Sequence, residues 1–268
     1  MQLSFGEAIL LGVIEGLTEF FPISSTGHLI LAERLLGIPE PSLFFNTVIQ
    51  LGAICAILWF YRARIAVAVR EIQKTRTLPI FFIQKMIVGT LPVAVFGFLF
   101  HSLVKYAQTQ LWIIVATTLG VAGLFWIADY VLKKQTKKQI DDQETSLVDV
   151  FIIGLFQAFS IIPGVSRSGI TILGGLSRGK SFRQSVDTAF MLAVPAMSLA
   201  AGYELLNFFL DGGEFEKGLL FSTAVGFLVA FFTALATISV TLPIFRKYGF
   251  MPFVIYRVIL GIGIILLL

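Results

Sequence analysis

Charged residues are scarce in this sequence, and cysteine and histidine are scarcer still. Aspartate, glutamate, lysine and arginine make up 13% of the 268 residues, against 57% hydrophobic residues. Soluble domains carry about 25% charged residues, so this composition excludes an ordinary soluble domain and predicts an all-α integral membrane protein. The single cysteine, Cys55, excludes an internal disulfide, and its apolar neighbours predict a packing residue rather than a reactive thiol.

Basic residues are present but dispersed, which argues against nucleic acid as a partner. The net charge is +4, and the lysines and arginines lie mainly between apolar runs. No basic segment precedes the first apolar stretch, and that stretch carries two glutamates. A cleavable signal peptide is therefore not expected.

The most informative stretch is residues 15–28, Glu-Gly-Leu-Thr-Glu-Phe-Phe-Pro-Ile-Ser-Ser-Thr-Gly-His. Glu15 and Glu19 are four residues apart, so a helix places both on one face. Pro22 ends that helix, because the residue before a proline avoids the α region. The hydroxyls at 24–26 are good N-caps for a second helix. The exposed N–H groups of its first turn predict an anion site.

Two segments of the chain, 5–37 and 147–177, are each divided by a proline into two apolar pieces. The pieces, 5–20 and 26–37 in the first segment and 147–162 and 168–177 in the second, are too short for a helix to span a bilayer, which needs roughly 20 residues. We therefore expect each segment to form a re-entrant helix pair. The longer apolar segments predict transmembrane helices at 44–61, 86–104, 111–132, 186–206, 218–242 and 250–268.

The charges of the connecting loops predict how these segments cross the membrane. The loops after residues 61, 132, 177 and 242 are basic and are expected in the cytoplasm. The links 105–110 and 207–217 are then outside, so the first pair enters from outside and the second from the cytoplasm. Each half has a re-entrant pair and three spans in opposite orientation, which is an inverted-topology repeat. Its halves are 1–138 and 139–268.

A short internal similarity supports this repeat. Gly12-Val-Ile-Glu15 through Ser24-Ser-Thr-Gly27 matches Gly154-Leu-Phe-Gln157 through Ser166-Arg-Ser-Gly169 at a constant offset of 142 residues. The two prolines miss that register by one residue. Inverted repeats bring their broken helices together near the bilayer midplane, so we expect the two serine-rich turns to face each other.

The residues at these turns indicate phosphoryl chemistry, or phosphate binding, inside a membrane. Arg167 can bind phosphate oxygens with its forked guanidinium. The carboxylates of Glu15 and Glu19 are expected to bind a cation, either a proton or a hard metal such as Mg²⁺ or Ca²⁺. His28 is placed to be a nucleophile or a general acid or base. The hydroxyls and glycines expected to bind the substrate are Ser24, Ser25, Thr26, Gly27, Ser166, Ser168 and Gly169.

Structural roles compete with these functional ones. The glutamates and Arg167 could form a structural ion pair, and some of the hydroxyls could be helix caps only. A charge at membrane depth costs at least about 2.5 kcal/mol, so two glutamates on one short helix favour a function. For Arg257, inside the last predicted span, we favour a structural pair or a snorkelling side chain, and for His101 an interfacial position.

The stretches Glu15–His28 and Pro163-Gly-Val-Ser-Arg-Ser-Gly169 closely resemble the two signature motifs of the undecaprenyl-diphosphate phosphatase family, also called the bacitracin-resistance family. Val48-Ile-Gln-Leu-Gly-Ala-Ile54 and Leu192-Ala-Val-Pro195 resemble its secondary signatures, and the resemblance extends over essentially the whole chain. Asn46 and Thr188-Ala189 depart from the pattern of many members, and neither departure lies in the two main motifs.

This resemblance implies an enzyme that hydrolyses a polyprenyl diphosphate to the monophosphate and inorganic phosphate, recycling the lipid carrier of cell-wall synthesis. It implies a divalent cation, a multi-pass protein of the cell membrane whose active site opens to the outer face, and often a dimer. It marks Glu15 and Glu19 as metal- or proton-linked acids, Ser25 or His28 as nucleophile or acid/base, and Arg167 as the phosphate clamp. The alternative is a polyprenyl-phosphate transporter or flippase, because inverted repeats with broken helices are typical of transporters.

Overall fold

The computed structural model describes residues 3–38, 43–134, 144–212 and 217–267. Within these ranges the chain forms twelve α-helices, one 3₁₀ turn at Phe159–Ile161, and no strand. The helices are α1 (Phe5–Thr18), α2 (Ser25–Leu35), α3 (Leu43–Phe60), α4 (Arg62–Thr75), α5 (Ile80–Leu99), α6 (His101–Thr109), α7 (Leu111–Lys134), α8 (Leu147–Ala158), α9 (Arg167–Ser177), α10 (Phe182–Leu210), α11 (Lys217–Tyr248) and α12 (Met251–Leu267).

Several of these helices are long and apolar enough to cross a membrane, as an integral membrane protein requires. In the described ranges four helices qualify alone, namely α5, α7, α10 and α11. A fifth span is formed if α3 and α4, which meet at a bend of 65°, are taken together. The segment predicted as the last span is α12, which at 17 residues is shorter than the others. The chain is therefore an all-α, multi-pass membrane protein.

The predicted span 86–104 is displaced, because α5 runs from Ile80 to Leu99 and residues 101–104 belong to α6. Lys85, which directly precedes the predicted span, lies inside α5. Its ammonium bonds Glu144 at 2.6 Å and lies 4.2 Å from the ring centroid of Phe81. A lysine with these partners is tolerated near a membrane surface.

Both predicted re-entrant pairs are helix–break–helix segments. Ser4 and Ser146 begin α1 and α8 with capping boxes, in which the cap hydroxyl accepts from the third residue and that residue's carboxylate accepts from the cap N–H. Residues 19–24 and 159–166 separate the helices of each pair and contain Pro22 and Pro163. The side of the membrane from which each pair enters stays a prediction.

The helix contacts between the two predicted halves are reciprocal. Helix α1 packs on α11 of the second half, and its counterpart α8 packs on α5 of the first half. Glycines make both contacts close: a Cβ on Gly16 would lie 2.6 Å from Cβ of Thr233, and a Cβ on Gly154 would meet the backbone of Gly89. The predicted boundary at 138/139 lies outside the described residues.

The largest buried cluster surrounds the two breaks. Its members Phe20, Ile23 and Val165 lie in the breaks themselves. Phe125 stacks on Phe250, which packs on Phe245. Cys55 is half-buried on α3, as expected for a packing residue. His101 lies 3.3 Å from a carboxylate oxygen of Glu204. This core holds the two turns between α3, α7, α10 and α12.

Candidate active site

The two serine-rich turns lie against each other in the structure. A Cβ on Gly27, at the start of α2, would lie 3.8 Å from Cα of Gly164 in the second turn. A Cβ on Gly169, at the start of α9, would lie 2.7 Å from Cβ of Pro22 in the first turn. The hydroxyl of Ser168 donates to the carbonyl of Phe21 at 3.2 Å. Each helix start therefore packs on the other half's break, and side chains could not replace these glycines without displacement.

The residues that cap the two inner helices have the same unusual backbone. Ser24 has φ 74° and Ser166 has φ 50°, both in the positive range that disfavours non-glycine residues. Each hydroxyl accepts from the N–H three residues later, at 3.4 Å in both turns. Such backbone conformations cost on the order of 1–3 kcal/mol and cluster at functional sites. The two segments related by the 142-residue offset are therefore similar in backbone conformation as well as in sequence.

Side chains from both halves contact the carboxylate of Glu19. The hydroxyl of Ser25 donates a hydrogen bond to one oxygen of Glu19, and the guanidinium of Arg167 contacts the other oxygen. Glu19 and Ser25 are 5% and 8% exposed, so this contact lies inside the protein. A second nitrogen of Arg167 donates to the carbonyl of Ala193 at 3.4 Å, which anchors the arginine on α10.

Glu15 lies one helical turn before Glu19 and is 1% exposed. Its Oε1 atom has no hydrogen-bond partner among the described residues, and the carboxylate interacts electrostatically with Arg167. Gln157, the residue at the equivalent position of the second half, is also fully buried. The acid at 15 is therefore specific to the first half.

The described residues contain no group of three or more histidine, cysteine, aspartate or glutamate side chains that could hold a metal ion by themselves. Glu15 and Glu19 are two carboxylates, and Glu19 already has two partners. Mg²⁺ is often held by one or two carboxylates together with substrate phosphates. The unpartnered, buried Oε1 of Glu15 fits such a shared site.

His28 is held at both ring nitrogens. Nδ1 lies 2.7 Å from the carbonyl oxygen of Ser24, and Nε2 lies 2.7 Å from the hydroxyl of Tyr256. The two rings stack with centroids 5.6 Å apart. Thr26, also predicted for the site, is partly buried in the same helical turn. The ring of His28 therefore has a fixed position beside the first turn.

Sequence reasoning gave too little weight to Arg257, which the structure places in contact with both turns. Its side chain is fully buried, so it does not snorkel. It donates to the carbonyls of Gly164 at 2.5 Å and Pro22 at 3.3 Å, and to those of Thr118 and Thr117 at 3.2 and 3.4 Å. The partners are backbone carbonyls of both turns and of α7, and not the acid expected of a structural pair.

Tyr256, the neighbour of Arg257, was not predicted at all. Tyr256 lies in an apolar segment, and the adjacent Arg257 is the one feature of the sequence that draws attention to it. An intramembrane arginine is a functional candidate by default, and that rule applied more strictly would have directed attention to this part of α12. The sequence motifs of the two turns do not indicate which distant helix packs against them.

Comparison with known proteins identifies the family of this chain. Residues 8–263 match the family model described as "Bacitracin resistance protein BacA". The chain is 36% identical to an undecaprenyl-diphosphatase of Sulfurovum sp. over 268 residues, which covers 98% of each chain. It is 36% identical to the protein of that name from Persephonella marina, covering 95% of each chain, and 37% identical to that from Bdellovibrio bacteriovorus, covering 99% of this chain and 97% of the relative.

Proposed function

This chain belongs to the family of the bacitracin resistance protein BacA, and we propose that it hydrolyses undecaprenyl diphosphate to undecaprenyl phosphate and inorganic phosphate. The full-length similarity to proteins named undecaprenyl-diphosphatase supports this reaction. The observation that carries it is the contact of Ser25 and Arg167 with the same carboxylate, that of Glu19. A nucleophile bonded to its base, beside a phosphate-binding arginine, is what phosphoryl transfer requires.

We assign the nucleophile to Ser25 and its general base to Glu19. The oxygen of Ser25 attacks the terminal phosphorus as its proton passes to Glu19. The bond from that phosphorus to the bridging oxygen breaks, and the lipid monophosphate leaves. Water then attacks the phosphoserine, phosphate is released and the serine recovers a proton. His28 is less suited to this attack, because both of its nitrogens already have partners.

The phosphate oxygens are bound by groups from both halves. Arg167 contributes a guanidinium, and the first turns of α2 and α9 contribute backbone N–H groups and positive dipole ends. These donors are fixed by the strained caps Ser24 and Ser166 before the substrate arrives. Preorganised donors of this kind stabilise the charge that develops on the phosphoryl oxygens in the transition state. His28 acts as an acid or base through Nε2.

We propose that Glu15 holds a divalent cation, Mg²⁺ or Ca²⁺, jointly with oxygens of the substrate diphosphate. The unpartnered Oε1 of Glu15 supports this assignment. When bound, the cation would neutralise part of the diphosphate charge and polarise the terminal phosphoryl group. Glu19 was predicted as a second ligand, and in our proposal it serves chiefly as the base.

The cellular setting is proposed on the same basis. We place the protein in the cell membrane, with the site open to the outer face, where it recycles the lipid carrier for cell-wall synthesis and confers resistance to bacitracin. A homodimer is consistent with the family resemblance. The chain's partners are then a polyprenyl diphosphate and the surrounding membrane lipid.

The test is phosphate release from undecaprenyl diphosphate by the purified protein in detergent, with Mg²⁺ and with chelator. Glu19→Gln, His28→Ala and Arg167→Ala should each lower the rate by about 10²-fold or more. Arg64→Ala is the matched control, because Arg64 is an exposed arginine in the first turn of α4 and pairs with Asp187. It should keep the wild-type rate.

Lipid binding, measured in parallel, separates the enzyme from a carrier. Wild-type protein that releases no phosphate but still binds undecaprenyl phosphate would refute the phosphatase and favour a transporter. Release that depends on the metal and is lost in the three site variants would support the enzyme.

A further inference from the structure

The hydrogen bond between His28 and Tyr256 indicates a role for Tyr256. A carbonyl oxygen accepts hydrogen bonds and never donates them, so the 2.7 Å contact with Ser24 requires a hydrogen on Nδ1. A neutral imidazole then has its lone pair on Nε2, and the hydroxyl of Tyr256 donates to it. A protonated imidazole would instead donate from Nε2 to the same hydroxyl. In either state Nε2 is the only ring nitrogen that can exchange a proton, and Tyr256 stands at it.

Tyr256 reaches this position because of its neighbour. Arg257 is fixed by four carbonyls, two of them in the turns that form the site. The preceding residue on α12 is thereby placed beside the first turn, 228 residues away from His28 in sequence. Tyr256 is 41% exposed, so its ring lies at the protein surface while its hydroxyl contacts His28.

We propose that Tyr256 is a positioning residue for the hydrolysis reaction, acting through His28. Its hydroxyl and the Ser24 carbonyl together fix the ring plane and the tautomer of His28, and so make Nε2 the proton-exchanging atom. This proposal rests on the proposed phosphatase activity for its kinetic part only. The hydrogen bond itself can be measured without any turnover.

The kinetic test uses Tyr256→Phe, which keeps the stacked ring and removes only the hydroxyl. Partners that orient metal-bound histidines contribute a factor of roughly 10 to 100, and we expect kcat to fall by a similar factor with KM changed less than about threefold. In a His28→Ala background the same substitution should change the rate by less than about twofold, because Tyr256 acts through the missing imidazole. Tyr203→Phe is the matched control, since Tyr203 packs edge-on against the other histidine, His101.

The spectroscopic test exploits the presence of only two histidines in the chain. Protein labelled with ¹⁵N-histidine and carrying His101→Gln gives the imidazole signals of His28 alone. We expect a hydrogen on Nδ1, and a shift of the Nε2 resonance in Tyr256→Phe that Tyr203→Phe does not produce.

The outcomes distinguish this proposal from the proposed function. A Nε2 resonance that Tyr256→Phe leaves unchanged would overturn the assignment, even in a protein that hydrolyses the lipid. An equal loss of kcat with and without His28 would overturn it as well. If the wild-type protein releases no phosphate, the phosphatase fails, while the resonance still decides whether Tyr256 positions His28.

Discussion

Replacing Arg257 with methionine should loosen both turns of the site at once. The substitution keeps an unbranched apolar side chain and removes the guanidinium that donates to Gly164 and Pro22. These two carbonyls lie in the breaks, where no helical ladder satisfies them. The carbonyls of Thr117 and Thr118 belong to α7 and have helical partners available.

The expected loss follows from those two carbonyls. Leaving a buried acceptor unsatisfied costs about 1–3 kcal/mol, so two cost about 2–6 kcal/mol. Removing the buried charge offsets part of this, because a fully buried guanidinium is itself expensive. We therefore expect Arg257→Met to lower the free energy of unfolding by about 2–4 kcal/mol, or the melting temperature by about 4–16 °C on the scale of a medium-sized domain.

The assay is the fraction of monodisperse protein that remains after heating in detergent, measured by size-exclusion chromatography, with phosphate release recorded on the unheated sample. Activity should fall more than tenfold, because the turns hold Ser25 and Arg167. Arg64→Met is the control; its ion pair with Asp187 is half exposed and worth at most about 1 kcal/mol. If Arg257→Met melts within 2 °C of wild type and keeps its activity, the argument that this arginine joins the two turns is refuted.

Two further substitutions test the packing of the broken helices. Gly16→Val should strongly destabilise the protein, because a Cβ at this position would already lie 2.6 Å from Cβ of Thr233 and 2.7 Å from a backbone oxygen of α11. The control Gly97→Val should have little effect, because nothing lies within 4 Å of a Cβ at that position. Equal melting temperatures of the two variants would contradict the α1–α11 contact. Asp149→Asn should lower stability by about 1–3 kcal/mol, because Asp149 accepts a 2.8 Å bond from Arg178 and joins the start of α8 to the end of α9; thermal stability unchanged from wild type would show that this ion pair does not hold the second pair together.

Much of this architecture follows from local physics and was predictable. Pro22 and Pro163 lie in the breaks that follow α1 and α8, and the serines after them cap the next helices. Pro92, Pro195 and Pro243 lie inside helices, so the breaks were predicted by the proline together with the capping serines and not by the proline alone. An apolar run has to become a helix in a membrane, because no water is available to satisfy the backbone. The facing turns were predicted from the internal repeat, and the close approach of Gly27 and Gly164 agrees with it.

What could not be predicted depends on tertiary contacts. Helix α5 begins at Ile80, before the predicted start at residue 86, and Lys85 is accommodated inside it by Glu144 and Phe81, a pairing that no local pattern indicates. Arg257 appeared isolated because its acceptors are carbonyls, which every residue carries and no sequence motif marks. The choice between Ser25 and His28 was open because spacing along a helix does not say which side chain reaches Glu19.

The central claim is that Ser25 attacks the phosphorus with Glu19 as its base, and the phosphate-release rate of Ser25→Ala tests it most directly. We expect release from undecaprenyl diphosphate to fall to the level of a no-enzyme control. Ser24→Ala, which removes the neighbouring hydroxyl that caps α2, should lower the rate but keep it measurable. Mass spectrometry of the acid-quenched wild-type reaction should then find any trapped phosphate on the peptide that contains Ser25. Wild-type release by Ser25→Ala would contradict the account and return the nucleophile to His28.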